Sequence, residues 1–146
     1  MEKPGTTEWE FSLQELEEVC GEIYSRFSGY RVWLLEGMLG AGKTTFVQQL
    51  LRHLGSEDQV LSPTFSLVNE YRSATETRVY HLDLYRLQTA EQTAEIGLFE
   101  MAESGYFCLV EWASAVGYVP SDSFIRLVFT HLGETKRRLR ILVHEN

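Results

Sequence analysis

The chain has 146 residues, of which 44% are hydrophobic and 23% are charged, and its formal net charge is -8 at pH 7. This composition excludes collagen-like and disordered classes, and the length predicts one domain over residues 1–146. The apolar runs are shorter than the ~20 residues of a membrane helix, and the acidic N-terminus lacks the apolar core of a secretory signal. We therefore expect a cytoplasmic protein without membrane contact. The negative charge argues against direct nucleic-acid binding, which needs a basic surface.

The first half of the chain predicts strands and helices in alternation. Ser12 followed by Glu15 has the spacing of a helix capping box, and apolar residues continue from there at helical spacing. An apolar run of strand length precedes a second helical pattern, which ends at Gly55. The predicted elements are strands at 9–11 and 31–36 and helices at 12–28 and 43–54.

The second half predicts more strands, some of them consecutive along the chain. We place strands at 65–71, 78–84, 106–111, 124–129 and 138–143, with a helix at 90–103 that breaks near Gly97. Because strands alternate with helices in part of the chain, the pattern predicts an α/β fold with a mixed, mostly parallel sheet and helices on both faces. Cys20 and Cys108 fall within apolar patterns, so we expect buried thiols and neither a disulfide framework nor a zinc site.

The strongest motif is the segment at 37–44, Gly-Met-Leu-Gly-Ala-Gly-Lys-Thr, which matches the phosphate-loop pattern G-x-x-x-x-G-K-[ST] at every defined position. It directly follows the apolar run at 31–36 and opens the helix at Lys43, which is the context that a phosphate loop requires. This order of strand, loop and helix predicts a P-loop NTPase-like three-layer sandwich.

Each residue type in this loop suits the binding of phosphate. Glycines let backbone N–H groups approach the phosphate oxygens closely, and the helix N-terminus adds free N–H groups and the positive end of its dipole. Lys43 is expected to reach the β- and γ-phosphates, and the Thr44 hydroxyl to ligate Mg²⁺. The predicted nucleotide-binding residues of the loop are Gly37, Leu39, Gly40, Ala41, Gly42, Lys43, Thr44 and Thr45.

Two carboxylates are candidates for holding the metal ion. Asp83 and Glu111 each end an apolar strand, and ligands of open α/β sheets bind at the carboxyl ends of strands. We assign Glu111 to the Mg²⁺ shell, and Asp83 either to that shell or to positioning the attacking water. Lys43, Asp83 and Glu111 form the predicted catalytic set. His81 shares a strand face with Asp83 but is interpreted as a structural residue.

Several phrases of the sequence together resemble the bacterial TsaE (YjeE) family of small P-loop ATPases. The phrases are those at 36–46, 62–65, 67–71, 81–87 and 109–112, read as EGMLGAGKTTF, SPTF, LVNEY, HLDLYRL and LVEW. Their order and spacing agree with that family over nearly the whole chain.

This resemblance implies a role in forming N6-threonylcarbamoyladenosine at position 37 of tRNA. The protein would bind ATP or ADP with Mg²⁺, hydrolyse ATP weakly by itself, and act on a complex of the partner proteins TsaB and TsaD, meeting tRNA only indirectly. Thr44 and Glu111 would hold the metal, with Asp83 implicated in hydrolysis. The adenine would lie near Phe11 to Leu13 at the N-terminal strand–helix junction and near Gly133 and Glu134 in a C-terminal turn, with Leu13 and Gly133 among the predicted binding residues.

Alternatives remain open at this level. The chain could be a regulatory nucleotide-binding module, or a small-molecule kinase, although kinases of this fold generally carry an arginine-rich lid that a chain of this length hardly accommodates. Ser62, Pro63 and Thr64 form either a segment that senses the γ-phosphate or a simple turn. The basic residues at 136–140 are interpreted as a solvated strand edge.

Overall fold

The structure is a computed structural model that describes residues 6–37, 42–56, 68–85, 87 and 89–145. Within these residues, seven strands form one sheet in the order β1-β7-β6-β2-β5-β4-β3. The strands are β1 (Thr6–Ser12), β2 (Val32–Glu36), β3 (Val68–Tyr71), β4 (Val79–Asp83), β5 (Phe107–Glu111), β6 (Phe124–Leu132) and β7 (Lys136–His144). The helices are α1 (Leu16–Phe27), α2 (Lys43–His53), α3 (Ala90–Glu95) and α4 (Leu98–Ala102), and 3-10 turns lie at Leu13–Glu15 and Ala113–Val116.

The sheet is parallel in its centre and antiparallel at its edges. Strands β6, β2, β5 and β4 run parallel to one another, whereas β1, β7 and β3 join by antiparallel pairing. The predicted mixed sheet is therefore confirmed. Because parallel strands end at the same edge, the carboxyl ends of the four central strands lie together, and this edge is called the carboxyl edge below.

Helices cover both faces of the sheet, as predicted for a three-layer sandwich. In β2, Trp33 and Leu35 point into the core formed with α1 and α2, while Val32 and Leu34 point into the core that includes Leu98 of α4. This alternation follows from the two-residue period of a strand. The two sides are called the α1/α2 face and the α3/α4 face. Cys20 and Cys108 are buried free thiols, as expected, and burial raises the pKa of each to about 12.

Local signals place most helix boundaries correctly. Glu15 accepts a hydrogen bond from the Ser12 backbone N–H at 2.9 Å, although a 3-10 turn precedes α1. Gly97, with φ of +81°, separates α3 from α4. No helix within the described ranges is long and apolar enough to span a membrane.

The terminal strands are longer than the sequence predicts. Strands β6 and β7 pair over nine residues each, from Phe124 opposite His144 to Leu132 opposite Lys136. Their outer ends carry polar side chains that interrupt the apolar pattern, so the hydrophobic alternation alone identifies only the buried parts.

Candidate nucleotide-binding site

The carboxyl edge brings the predicted carboxylates together beside the start of α2. Asp83 and Glu111 are directly paired residues of β4 and β5, and Glu111 also pairs with Leu35 of β2. Their strand positions place both on the α1/α2 face, since Phe107 and Leu109 of β5 belong to that core. The sequence motif places the phosphate loop between β2 and α2, at the same edge.

Lys43, the first residue of α2, is 5% exposed. Its Nζ donates a hydrogen bond to the Gly37 carbonyl at 2.8 Å and lies 3.9 Å from the centre of the Trp112 ring. Burial lowers the pKa of Lys43, while the charges of Glu111, Asp83 and Glu36 act in the opposite direction. The geometry therefore holds a cation between the loop and the acidic strand ends.

Glycine is required for different structural reasons at the two loop positions that the structure describes. Gly37 has φ of +144°, and a Cβ there would lie 2.7 Å from the Phe129 carbonyl oxygen, so no side chain fits. Gly42 has φ of +103°, and its carbonyl accepts the Phe46 N–H at 2.8 Å, which starts the helical hydrogen bonding. The predicted ligands Leu39, Gly40 and Ala41 lie outside the described residues.

The N-terminal turn of α2 is anchored by its apolar side. Phe46, Val47, Leu50 and Leu51 are buried in the α1/α2 core, which fixes the axis of the helix. Thr44 is half-buried and Thr45 is exposed. The first backbone N–H groups of a helix have no partner within it, so this end of α2 is a place where an anion is stabilised.

Glu111 is 4% exposed and ends a strand whose five residues are all buried. Its Oε2 lies 2.6 Å from Nε2 of His81, which is itself fully buried. The Glu111 backbone oxygen accepts the Leu84 N–H at 3.0 Å. The sequence places His81 on the same strand face as Asp83 and favours a structural role for it, but it does not predict this contact with Glu111.

Asp83 is partly buried, and its Oδ1 accepts the Tyr85 N–H at 2.9 Å. Burial raises the pKa of Asp83, and the Glu111 charge adds to this. The Tyr85 hydrogen bond and the charges of His81 and Lys43 act the other way. The carboxyl group therefore keeps a proton to higher pH than an ordinary aspartate.

The predicted metal ligands are an oxygen donor set, with a hydroxyl from Thr44 and carboxylates from Asp83 and Glu111. Mg²⁺ prefers such ligands and completes its shell with water and nucleotide phosphates. Among the described residues, no group of three or more His, Cys, Asp or Glu side chains could hold a metal by itself. These donors fit a Mg²⁺ ion that is bound jointly by the protein and by the phosphates of a nucleotide.

A cavity of about 530 Å³ lies next to the start of α2. Its lining includes Leu13, Gly42, Thr45, Phe129, Glu134 and Arg137. Leu13 is 71% exposed, so its side chain is accessible at the rim of this cavity. Gly133 does not line the cavity but has φ of +81° in the turn between β6 and β7, and its neighbour Glu134 forms part of the wall.

Two further residues lie near the site, and neither belongs to the predicted set of site residues. Arg137 lines the cavity, whereas the sequence indicated a solvated edge. Trp112 has φ of +63°, a strained conformation for a non-glycine residue, and its ring lies 4.9 Å from that of the exposed Tyr85. The segment Ser62, Pro63 and Thr64 lies outside the described residues.

Comparison with known proteins identifies the family. A family model described as "Threonylcarbamoyl adenosine biosynthesis protein TsaE" matches residues 11–139. The chain belongs to the TsaE family. The resemblance predicted from the sequence phrases is therefore confirmed, and with it a place among proteins of tRNA threonylcarbamoyladenosine biosynthesis.

Individual relatives agree with this assignment. The chain is 37% identical to the tRNA threonylcarbamoyladenosine biosynthesis protein TsaE of Rickettsia felis, over 77% of this chain and 66% of the relative. It is 37% identical to the TsaE protein of Rickettsia bellii, over 89% of this chain and 90% of the relative. The crystal structure of Bacillus subtilis YdiB superposes with a TM-score of 0.77 at 26% identity, covering 98% of this chain and 88% of that one.

Proposed function

We propose that this TsaE-family chain binds ATP at the carboxyl edge of its sheet, with Mg²⁺, and hydrolyses it slowly. The observation that carries this proposal is Lys43, a nearly buried cation hydrogen-bonded to the Gly37 carbonyl. Among the residues that the structure describes, this ammonium makes one hydrogen bond. An ammonium has three donors, and the three phosphates of a nucleotide would supply both acceptors and negative charge.

The residues at this edge would have separate roles in the transfer of the γ-phosphoryl group to water. Lys43 and the start of α2 neutralise charge on the phosphates. Thr44 and Glu111 would hold Mg²⁺, which supplies charge stabilisation at the β- and γ-phosphate oxygens when bound. Asp83 would orient the attacking water, and its raised pKa brings this carboxylate closer to the range of an effective general base.

The cavity between the N-terminal strand–helix junction and the β6–β7 turn is the proposed place for the nucleoside. It adjoins Gly42 and Thr45, so a nucleotide whose phosphates lie along the loop would extend into it. Leu13 and Phe129 offer apolar surface for a base. Arg137 offers a positive charge beside the phosphates.

The relatives' function in tRNA modification extends to this chain through protein partners. We propose that TsaB and TsaD are those partners and that contact with tRNA is indirect. The net charge of -8 supports indirect contact, because phosphate-backbone binding depends on clustered Lys and Arg side chains. Arg138, one of the basic residues of β7, is paired with Glu8 at 3.4 Å and with Glu10 at 2.8 Å.

The decisive experiment compares ATP turnover by the purified chain alone with turnover in the presence of TsaB and TsaD. We expect slow hydrolysis alone and a large stimulation by both partners, with no turnover in EDTA. Tight nucleotide binding without stimulated turnover would favour the regulatory module instead. Absence of nucleotide binding would reject the proposal.

A further inference from the structure

His81 of β4 and Glu111 of β5 form a buried polar pair near the carboxyl edge of the sheet. The two side chains are 0% and 5% exposed, and Nε2 lies 2.6 Å from Oε2. In the parallel ladder His81 is opposite Leu109, and Asp83 is opposite Glu111. The side chain of His81 therefore contacts Glu111, which lies two residues beyond its own partner on β5. The contact depends on the register of β4 and β5.

The polarity of this contact assigns a role to each group. A carboxylate oxygen accepts hydrogen bonds, so in this contact Nε2 of His81 is assigned as the donor. The contact occupies Oε2. The second oxygen, Oε1, has no hydrogen-bond partner among the described residues. One oxygen is thus fixed by the protein while the other remains available as a ligand.

A purely structural explanation for His81 is weak. Its Nδ1 is buried and makes no hydrogen bond to any residue that the structure describes, which disfavours a buried imidazole. Replacing a buried polar pair by apolar residues is often neutral or stabilising. An aliphatic side chain at position 81, next to Tyr71 and Leu109, would stabilise the fold as well as the histidine does.

The orientation of Glu111 is what the histidine controls. A free glutamate samples many rotamers, and ordering it costs free energy at the moment of metal binding. His81 is held by the β4 backbone and packs against Tyr71, with ring centres 6.3 Å apart. A carboxylate already bound by this ring needs little rearrangement.

We propose that His81 is a positioning residue that presents the Glu111 carboxylate to the nucleotide-bound Mg²⁺, an inference that rests on the proposed function of Glu111. Histidine and carboxylate groups that hold metal ligands in this way typically change metal affinity 10- to 100-fold when they are replaced. The effect should therefore appear in the magnesium dependence of nucleotide binding and leave magnesium-free binding unchanged.

The experiment titrates Mg²⁺ into the full chain with a non-hydrolysable ATP analogue and records analogue affinity by calorimetry. The variants are His81→Leu, which removes the donor, and His81→Gln, whose amide keeps one. Glu111→Gln reports the metal site itself. Phe107→Leu, a buried substitution four positions before Glu111 on the same strand, controls for general loosening of the core.

We expect His81→Leu to raise the half-saturating Mg²⁺ concentration about 10- to 100-fold, with unchanged affinity in EDTA, and His81→Gln to recover most of the loss. Should His81→Leu fail to fold, His81→Asn replaces it, because its shorter amide stops short of the carboxylate. The proposal is wrong if the donor-lacking variant keeps the wild-type midpoint while Glu111→Gln shifts it, or if His81→Gln is equally defective.

A different result would reject the underlying metal site. If neither the wild type nor Glu111→Gln responds to Mg²⁺, then the assigned role of Glu111 is wrong and the role of His81 falls with it.

Discussion

Asp83 and Glu111 occupy the same register position on adjacent parallel strands, yet their surroundings differ. Glu111 is almost completely buried and accepts from His81, whereas Asp83 is partly exposed and accepts only a neighbouring backbone N–H among the contacts described. Glu111 is thus held by a side chain from the neighbouring strand, whereas Asp83 is partly open to solvent. This difference is the basis on which we propose Glu111 for the metal and Asp83 for the attacking water.

The first prediction separates hydrolysis from binding at Asp83. We expect Asp83→Asn to lower ATP turnover about 100-fold or more while changing nucleotide affinity little, because the amide cannot act as a base but still accepts from Tyr85. Turnover and calorimetric titration check this. Asp122→Asn is the matched control, since Asp122 also accepts a nearby backbone N–H but lies at the opposite sheet edge. A larger loss of affinity than of turnover would make Asp83 a binding ligand.

The second prediction concerns the pH dependence of stability without nucleotide. Burial raises the pKa of Asp83 above its usual 3.8, so the folded state binds this proton more tightly than the unfolded state. As pH rises through that range, the unfolded chain ionises first and the folded state loses stability relative to it. The side chain of Asp83→Asn stays neutral at every pH. We therefore expect the melting temperature of this variant, relative to that of the wild type, to increase as pH rises from about 3 to 7. A constant difference would contradict this assignment.

The third prediction concerns Gly37, where the backbone passes close to that of Phe129 in β6. A Cβ at this position would lie 2.7 Å from the Phe129 carbonyl oxygen, whereas one at Gly105, which also has a positive φ, has no atom within 4 Å. Both Gly→Ala variants carry backbone strain, but only Gly37→Ala adds a clash with β6. We expect it to lower the free energy of unfolding by about 1–3 kcal/mol more than Gly105→Ala, as measured by denaturant titration. Equal losses would show that the loop can shift away from β6.

The fourth prediction tests the cation at the centre of the site. Lys43→Ala should weaken nucleotide binding about 10- to 100-fold, because hydrogen bonds to charged groups contribute about 1.5–3 kcal/mol each. Arg52→Ala, in the last turn of the same helix, is the control. Unchanged affinity would reject the phosphate loop as the binding element.

The sequence predicts the parts of the site that depend on local order. The phosphate-loop motif needs only the strand before it and the helix after it, and both lie within about twenty residues, so Lys43 and the glycines could be assigned directly. Glu111 and Asp83 could be assigned because each ends a recognisable apolar strand. Predicting these residues does not require knowing which strands are neighbours in the sheet.

The remaining residues depend on pairings that no local pattern specifies. The contact of His81 with Glu111 joins positions thirty apart and exists only because β4 lies beside β5. Arg137 belongs to a run of basic residues, and only the pairing of β7 with β1 brings it opposite Phe11, which lines the same cavity. The resemblance places the adenine near Gly133 and Glu134, and only the folded turn between β6 and β7 shows that Glu134 lines the cavity; adenine binding at this turn stays a prediction.

Arg137 leads to the last prediction. Strand alternation places it on the same face as Leu139 and Ile141 of the α1/α2 core, and its Nε would lie 3.8 Å from a Cβ on Gly42. Arg140, an exposed residue of the same strand, points to the opposite face and is the matched control.

We expect Arg137→Gln to weaken ADP binding about tenfold, as loss of one charge-assisted contact to phosphate would do, and Arg140→Gln to leave it unchanged. Calorimetric titrations at two ionic strengths check this, because the loss should shrink as salt screens the guanidinium. Equal effects of the two variants would mean that Arg137 acts only through net charge.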